Sequence, residues 1–82
     1  MIISRDEKLK NAVTKLLFNR YEIDGKIIKG QSVNRLLTIL RSDGFVISKG
    51  TEYFLGKLKG LGFIVQDANI EGTKKIARIV YF

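Results

Sequence analysis

Lys49, Tyr53 and Lys57 follow one another at intervals of four, a spacing that stacks side chains on one face of a helix. Two ammonium groups and a phenol so placed make a basic and aromatic face. They belong to the stretch from Ser48 to Phe63, SKGTEYFLGKLKGLGF. Phe54, Leu55, Leu58 and Leu61 supply its apolar stripe. The opposite face carries Lys49, Gly50, Glu52, Tyr53, Gly56, Lys57 and Gly60. Two readings stay open for that face: a solvated outer surface, or one that reads nucleic acid. Ser48 is expected to cap the helix, its hydroxyl accepting from a first-turn amide. Gly62 is expected to stop it in a left-handed conformation.

Catalytic chemistry has little to draw on. The chain contains no cysteine and no histidine, which removes thiolate nucleophiles, thiolate zinc sites and the commonest general base and metal ligand. Asp6–Glu7 is the only adjacent carboxylate pair, and it fits the start of a helix, where negative charge complements the dipole. No nucleophile motif, phosphate loop or dinucleotide fingerprint occurs. No enzyme activity, cofactor or metal is expected.

The 82 residues suffice for one domain with a small core, and 45% apolar with 28% charged residues is a globular composition. No apolar run is long enough to span a membrane. The opening Met-Ile-Ile-Ser-Arg-Asp lacks the pattern of a secretion signal, so an intracellular, cytoplasmic location is expected. Fifteen Lys and Arg oppose eight acids, a net charge of +7. That favours anionic partners: DNA, RNA or an acidic membrane face. The excess is +4 over residues 1–47 and +3 over residues 48–82, so charge alone does not locate a site.

Around this stretch the elements are expected as follows. Helix one runs from about Arg5 to about Arg20, with Ser4 as cap, Glu7 at the capping-box spacing and Leu9, Ala12, Val13, Leu16 and Leu17 as its apolar stripe. Tyr21 to Lys29 is either a hairpin about Asp24-Gly25 or, the preferred reading, a helix end followed by one short strand. A lone hairpin is marginal and would need another partner. Ser32 caps helix two, whose stripe is Val33, Leu36, Leu37 and Leu40. Ser42-Asp43-Gly44 ends it, and Phe45, Val46 and Ile47 tuck beneath the helices. After Gly62, strands over Phe63–Gln66 and Lys74–Phe82 flank a turn over Asp67–Thr73. No internal repeat is evident.

The order of helix, short strand, helix, turn, helix and hairpin resembles the winged helix-turn-helix family, from about Leu9 to Phe82. The most specific residues are Ser48, Leu55, Leu58, Leu61, Gly62, Phe63 and Ile64. In size and general look the chain is also similar to small winged-helix proteins of archaeal viruses and plasmids. The resemblance implies an α+β fold of three helices with a small antiparallel sheet and a C-terminal wing. It implies a recognition helix at 48–61 entering the major groove of double-stranded DNA. Ser48, Lys49, Gly50, Glu52, Tyr53 and Lys57 would face the duplex, and Thr73, Lys74 and Lys75 of the wing would meet its backbone or minor groove. Tyr53 stands where many members carry arginine, and Glu52 would repel phosphate unless it accepts from a cytosine amino group.

Three classes of function follow: a sequence-specific transcriptional regulator, a protein-interaction module on the same fold, or an RNA-binding or replication-accessory domain. A homodimer is expected from the last strand. Ala77, Ile79 and Tyr81 alternate with Ile76, Arg78, Val80 and Phe82, and only one face is expected to cover the chain's own core, which leaves the other apolar residues to pair with a second copy or to pack against helix one. Gly56 and Gly60 suggest either a fraying helix end or close approach of another surface, DNA or helix one.

Overall fold

A computed structural model describes residues 5–82. Ser4, expected as a cap, lies outside the described residues. Among those residues the chain is α+β: three helices and a four-stranded antiparallel sheet. The order is α1 (Arg5–Lys15), β1 (Asn19–Ile23), β2 (Lys26–Ser32), α2 (Val33–Ser42), α3 (Gly50–Gly60), β3 (Ile64–Ile70) and β4 (Ile76–Tyr81). Among the described residues no helix is long and apolar enough to cross a membrane.

Helix α1 is shorter than its stripe suggests. Asp6 and Glu7 occupy its first turn and Lys15 its last. Beyond it, Leu16 and Leu17 donate to the carbonyls of Val13 and Thr14. The Leu16 carbonyl then accepts from the Gln31 side chain at 3.1 Å. From Asn19 onward the period changes from helical to alternating, and Tyr21 is buried on the inner face of β1.

Where a single short strand is the preferred expectation, the structure has the hairpin. Asp24 and Gly25 both take positive φ, 51° and 79°, as a two-residue primed turn requires, and Ile23 pairs with Lys26. It is not a lone hairpin. β1 pairs with β3 (Tyr21 with Ile70, Glu22 with Asn69), and β2 pairs with β4 (Gln31 with Val80, Ser32 with Ile79). The sheet thereby closes as a small barrel in the order β1-β2-β4-β3. Closure demands close approach at Gly30, where a Cβ would lie 2.5 Å from the Val80 carbonyl oxygen.

β3 also runs further than expected, to Ile70. Asp67 and Asn69 point outward while Ala68 points in, so polar residues that resemble a turn are one face of a strand. The tight turn is Glu71–Lys75, with Gly72 at φ 77°.

Two cores result. The larger lies between the helices and the outer face of the sheet, and includes Leu9, Val13, Leu36, Leu40, Phe54, Leu58, Phe63 and Val80. The smaller fills the barrel with Tyr21, Ala68 and Ile79. Both Ile79 and Val80 are 0% exposed. The expectation that only one face of β4 could serve the chain's own core is therefore wrong, because barrel closure covers the second face.

α2 and α3 end alike. The Phe45 and Gly44 amides donate to the Leu40 and Arg41 carbonyls, and the Phe63 and Gly62 amides donate to those of Leu58 and Lys59. Gly44 and Gly62 sit at φ 95° and 100°. Both ends are Schellman motifs, closed by a phenylalanine over the leucine five residues before it. The same Leu-x-x-x-Gly-Phe signature underlies both, at Leu40–Phe45 and Leu58–Phe63.

Candidate functional site

The start of α3 differs from expectation. Gly50 has φ 52°, so the chain turns through a left-handed residue on entering the helix, a conformation suited to glycine. Lys49 holds the N-cap position and makes no side-chain cap bond. Ser48 lies one residue further out and is not the cap. At α2 the expected cap is present, with the Arg35 amide donating to Ser32 Oγ at 3.2 Å.

Phe54, Leu55 and Leu58 hold α3 on the core, which leaves its outward residues in three strips. Gly56 and Gly60 form the middle one. A Cβ at either would meet nothing within 4 Å, so helix one makes no close approach there.

Tyr53 and Lys57 form the second strip, turned toward α1. Tyr53 is 58% exposed, and Lys49 Nζ lies 4.9 Å from its ring centroid, within cation–π range. Lys57 Nζ lies 3.0 Å from Asp6 Oδ1. The hydrogen bond to Asp6, reinforced by its charge, raises the Lys57 pKa.

Glu52 forms the third strip, turned toward β4, where Arg78 Nη1 lies 3.0 Å from Glu52 Oε1. The acid that stands against a phosphate contact thus has its charge offset by Arg78, a residue that helical spacing alone does not bring to the site.

Thr73, Lys74 and Lys75 stand apart from this group, in the β3–β4 turn. The Thr73 hydroxyl donates to the Ile70 carbonyl and accepts from the Lys75 amide, so it builds the turn. Arg20 grips the turn from β1, donating from Nε to Glu71 Oε2 at 2.7 Å and from Nη2 to Glu71 Oε1 at 3.2 Å. This fork raises the Arg20 pKa and lowers that of Glu71, in both cases chiefly through the hydrogen bond. Lys74 and Lys75 project from a braced turn.

The connection from α2 to α3 is only partly tucked away. Phe45 and Ile47 pack against the core as expected, but Val46 is 90% exposed. Together with α1 and α3 this connection borders a groove of about 430 Å³, whose lining includes Arg5, Lys8, Ser48, Lys49, Tyr53 and Lys57. Ser48, Lys49, Tyr53 and Lys57 are therefore brought together, Glu52 faces away, and Arg5 and Lys8 join from the basic side of α1. Compared with known protein families, with curated proteins and with solved structures, the chain matches none.

Proposed function

We propose that the chain is a winged-helix protein that binds double-stranded DNA sequence-specifically as a transcriptional regulator, with α3 in the major groove and the β3–β4 hairpin as the wing. What supports it most is the exposed surface of α3. It offers Lys49, Tyr53 and Lys57 beside an open glycine strip, and its one acid, Glu52, is matched by Arg78. The net charge of +7 adds a long-range attraction for polyanions. Tyr53 and Lys57 are the base-reading candidates; Lys74 and Lys75 are phosphate contacts. A homodimer belongs to the same proposal. Its support is exposed Ile76 and Phe82, since β4 is covered on both faces at Ile79 and Val80.

The test is fluorescence anisotropy with duplex DNA, single-stranded DNA and RNA across a salt series. Duplex is expected to bind tightest and to weaken steeply with salt, by counterion release. On a selected site against random duplex, Tyr53→Ala is expected to lose selectivity. Lys74→Ala with Lys75→Ala is expected to weaken all sequences alike and to reduce the salt slope by about one for each phosphate no longer neutralised. No binding at low salt would leave the protein-interaction module, a reading favoured by the 90% exposure of Val46. Sedimentation at micromolar protein tests the dimer.

A further inference from the structure

We propose that the groove between the amino-terminal half of α1, the α2–α3 connection and α3 is a binding site for a small amphipathic organic anion, an apolar ring-sized body bearing one acidic group. Its volume, about 430 Å³, lies in the range that holds small organic ligands, roughly 300–1,000 Å³. The floor is apolar, with Leu9 and Phe54 from the core and the partly buried Phe45 and Ile47 along the connection. The rim is cationic, with Arg5 and Lys8 from α1 and Lys49 and Lys57 from the α3 side. Among the described residues Asp6 is the single acid in the lining, and it is engaged by Lys57. An apolar body over the floor and one anionic group at the rim would match both halves of this surface. A neutral apolar ligand would leave the cations without a counter-charge, and a bare inorganic anion would leave the floor wet.

The wall is preformed. The Phe45 amide donates to the Leu40 carbonyl at 3.0 Å, and Arg41 Nη2 donates to the Ile47 carbonyl at 3.1 Å. These bonds fix the connection from both sides, so a ligand meets a groove that is already shaped. Val46 stands at the mouth, 90% exposed, where it can close over an apolar ligand.

The experiment uses the full chain and anilinonaphthalene sulfonate, an aromatic anion whose fluorescence rises in apolar surroundings. Its neutral analogue N-phenylnaphthylamine is run alongside. One saturable site for the sulfonate is expected, with amide shift changes concentrated at Leu9, Phe45, Ile47 and Tyr53. Lys8→Glu combined with Lys49→Glu is expected to weaken binding at least about tenfold, equivalent to 1.4 kcal/mol. The same charge change at Lys26 and Lys29, on β2, is expected to leave it unaltered. Equal affinity for the neutral analogue, shifts centred elsewhere, or equal weakening from the two charge-reversed pairs would each overturn the proposal. So would release of the probe by inorganic phosphate at matched ionic strength, which would mark the rim as a simple phosphate contact.

Discussion

The Cβ that an alanine would place at Gly30 falls 2.5 Å from the carbonyl oxygen of Val80. The obstruction is backbone, on the strand that β2 must meet to close the sheet, so no side chain can swing aside. Gly30→Ala is expected to destabilise the fold by about 1–3 kcal/mol, the usual cost of overpacking. Urea denaturation checks it, and an unchanged midpoint would mean that β2 and β4 do not approach so closely.

Two serines separate real from apparent caps. Ser32 Oγ accepts from the Arg35 amide, and Ser32→Ala should cost about 1 kcal/mol, a melting shift of about 4–8 °C for a domain of this size. Ser48 precedes a left-handed Gly50 and does not cap α3, so Ser48→Ala should leave the melting temperature in place. Equal destabilisation at the two positions would contradict the helix start described for α3.

Opposite signs are expected from two glycines in one helix and its cap. Gly56 has helical geometry and open space around it, so Gly56→Ala should stabilise by up to about 1 kcal/mol. Gly62, at φ 100°, has equal space but a backbone hostile to a side chain, so Gly62→Ala should destabilise by about 1–2 kcal/mol. Thermal melts of both variants suffice. A destabilised Gly56 variant would show that a neighbour meets that face after all.

The Arg20–Glu71 pair carries a pH signature. Arg20 holds the Glu71 pKa below its ordinary 4.5. The pair therefore stabilises the folded chain at pH values above that figure, and its contribution disappears as pH falls through the lower, folded value. Glu71→Gln should flatten the acid limb of the melting-temperature profile while changing little near neutrality, since exposed pairs contribute modestly. Identical acid limbs would show that the pair does not form in solution.

Local signals carry much of this architecture. The leucine stripes of α2 and α3, the Ser32 cap and the Gly62 stop each depend on residues a few positions apart. The β1–β2 turn is visible as Asp24-Gly25, yet a lone hairpin would be unstable. Its partners, Ile70 and Val80, are too distant in sequence for periodicity to reveal. Ser48 looks like a cap because the positive φ of Gly50 is a backbone property that its residue type permits but does not announce. The exposure of Lys49, Tyr53 and Lys57 is legible from helical spacing. Their surroundings are not, because Asp6 reaches Lys57 and Arg78 reaches Glu52 only after the helices and sheet pack. The helix-end signature shared by α2 and α3 is present in the letters, although one copy leads into a strand and the other into a loop.

Ile79 and Val80 are neighbours on β4, yet one is sealed inside the barrel and the other beneath the helices. A single strand is thus the common wall of both apolar compartments. Neither compartment can open without stripping that wall from the other, so the described residues should unfold as one cooperative unit rather than as a helical layer and a detachable barrel. In hydrogen exchange, the slowest amides of α2 and those flanking Tyr21 and Ala68 should share one opening free energy, and a barrel that opened at a lower free energy would show that β4 does not couple the two.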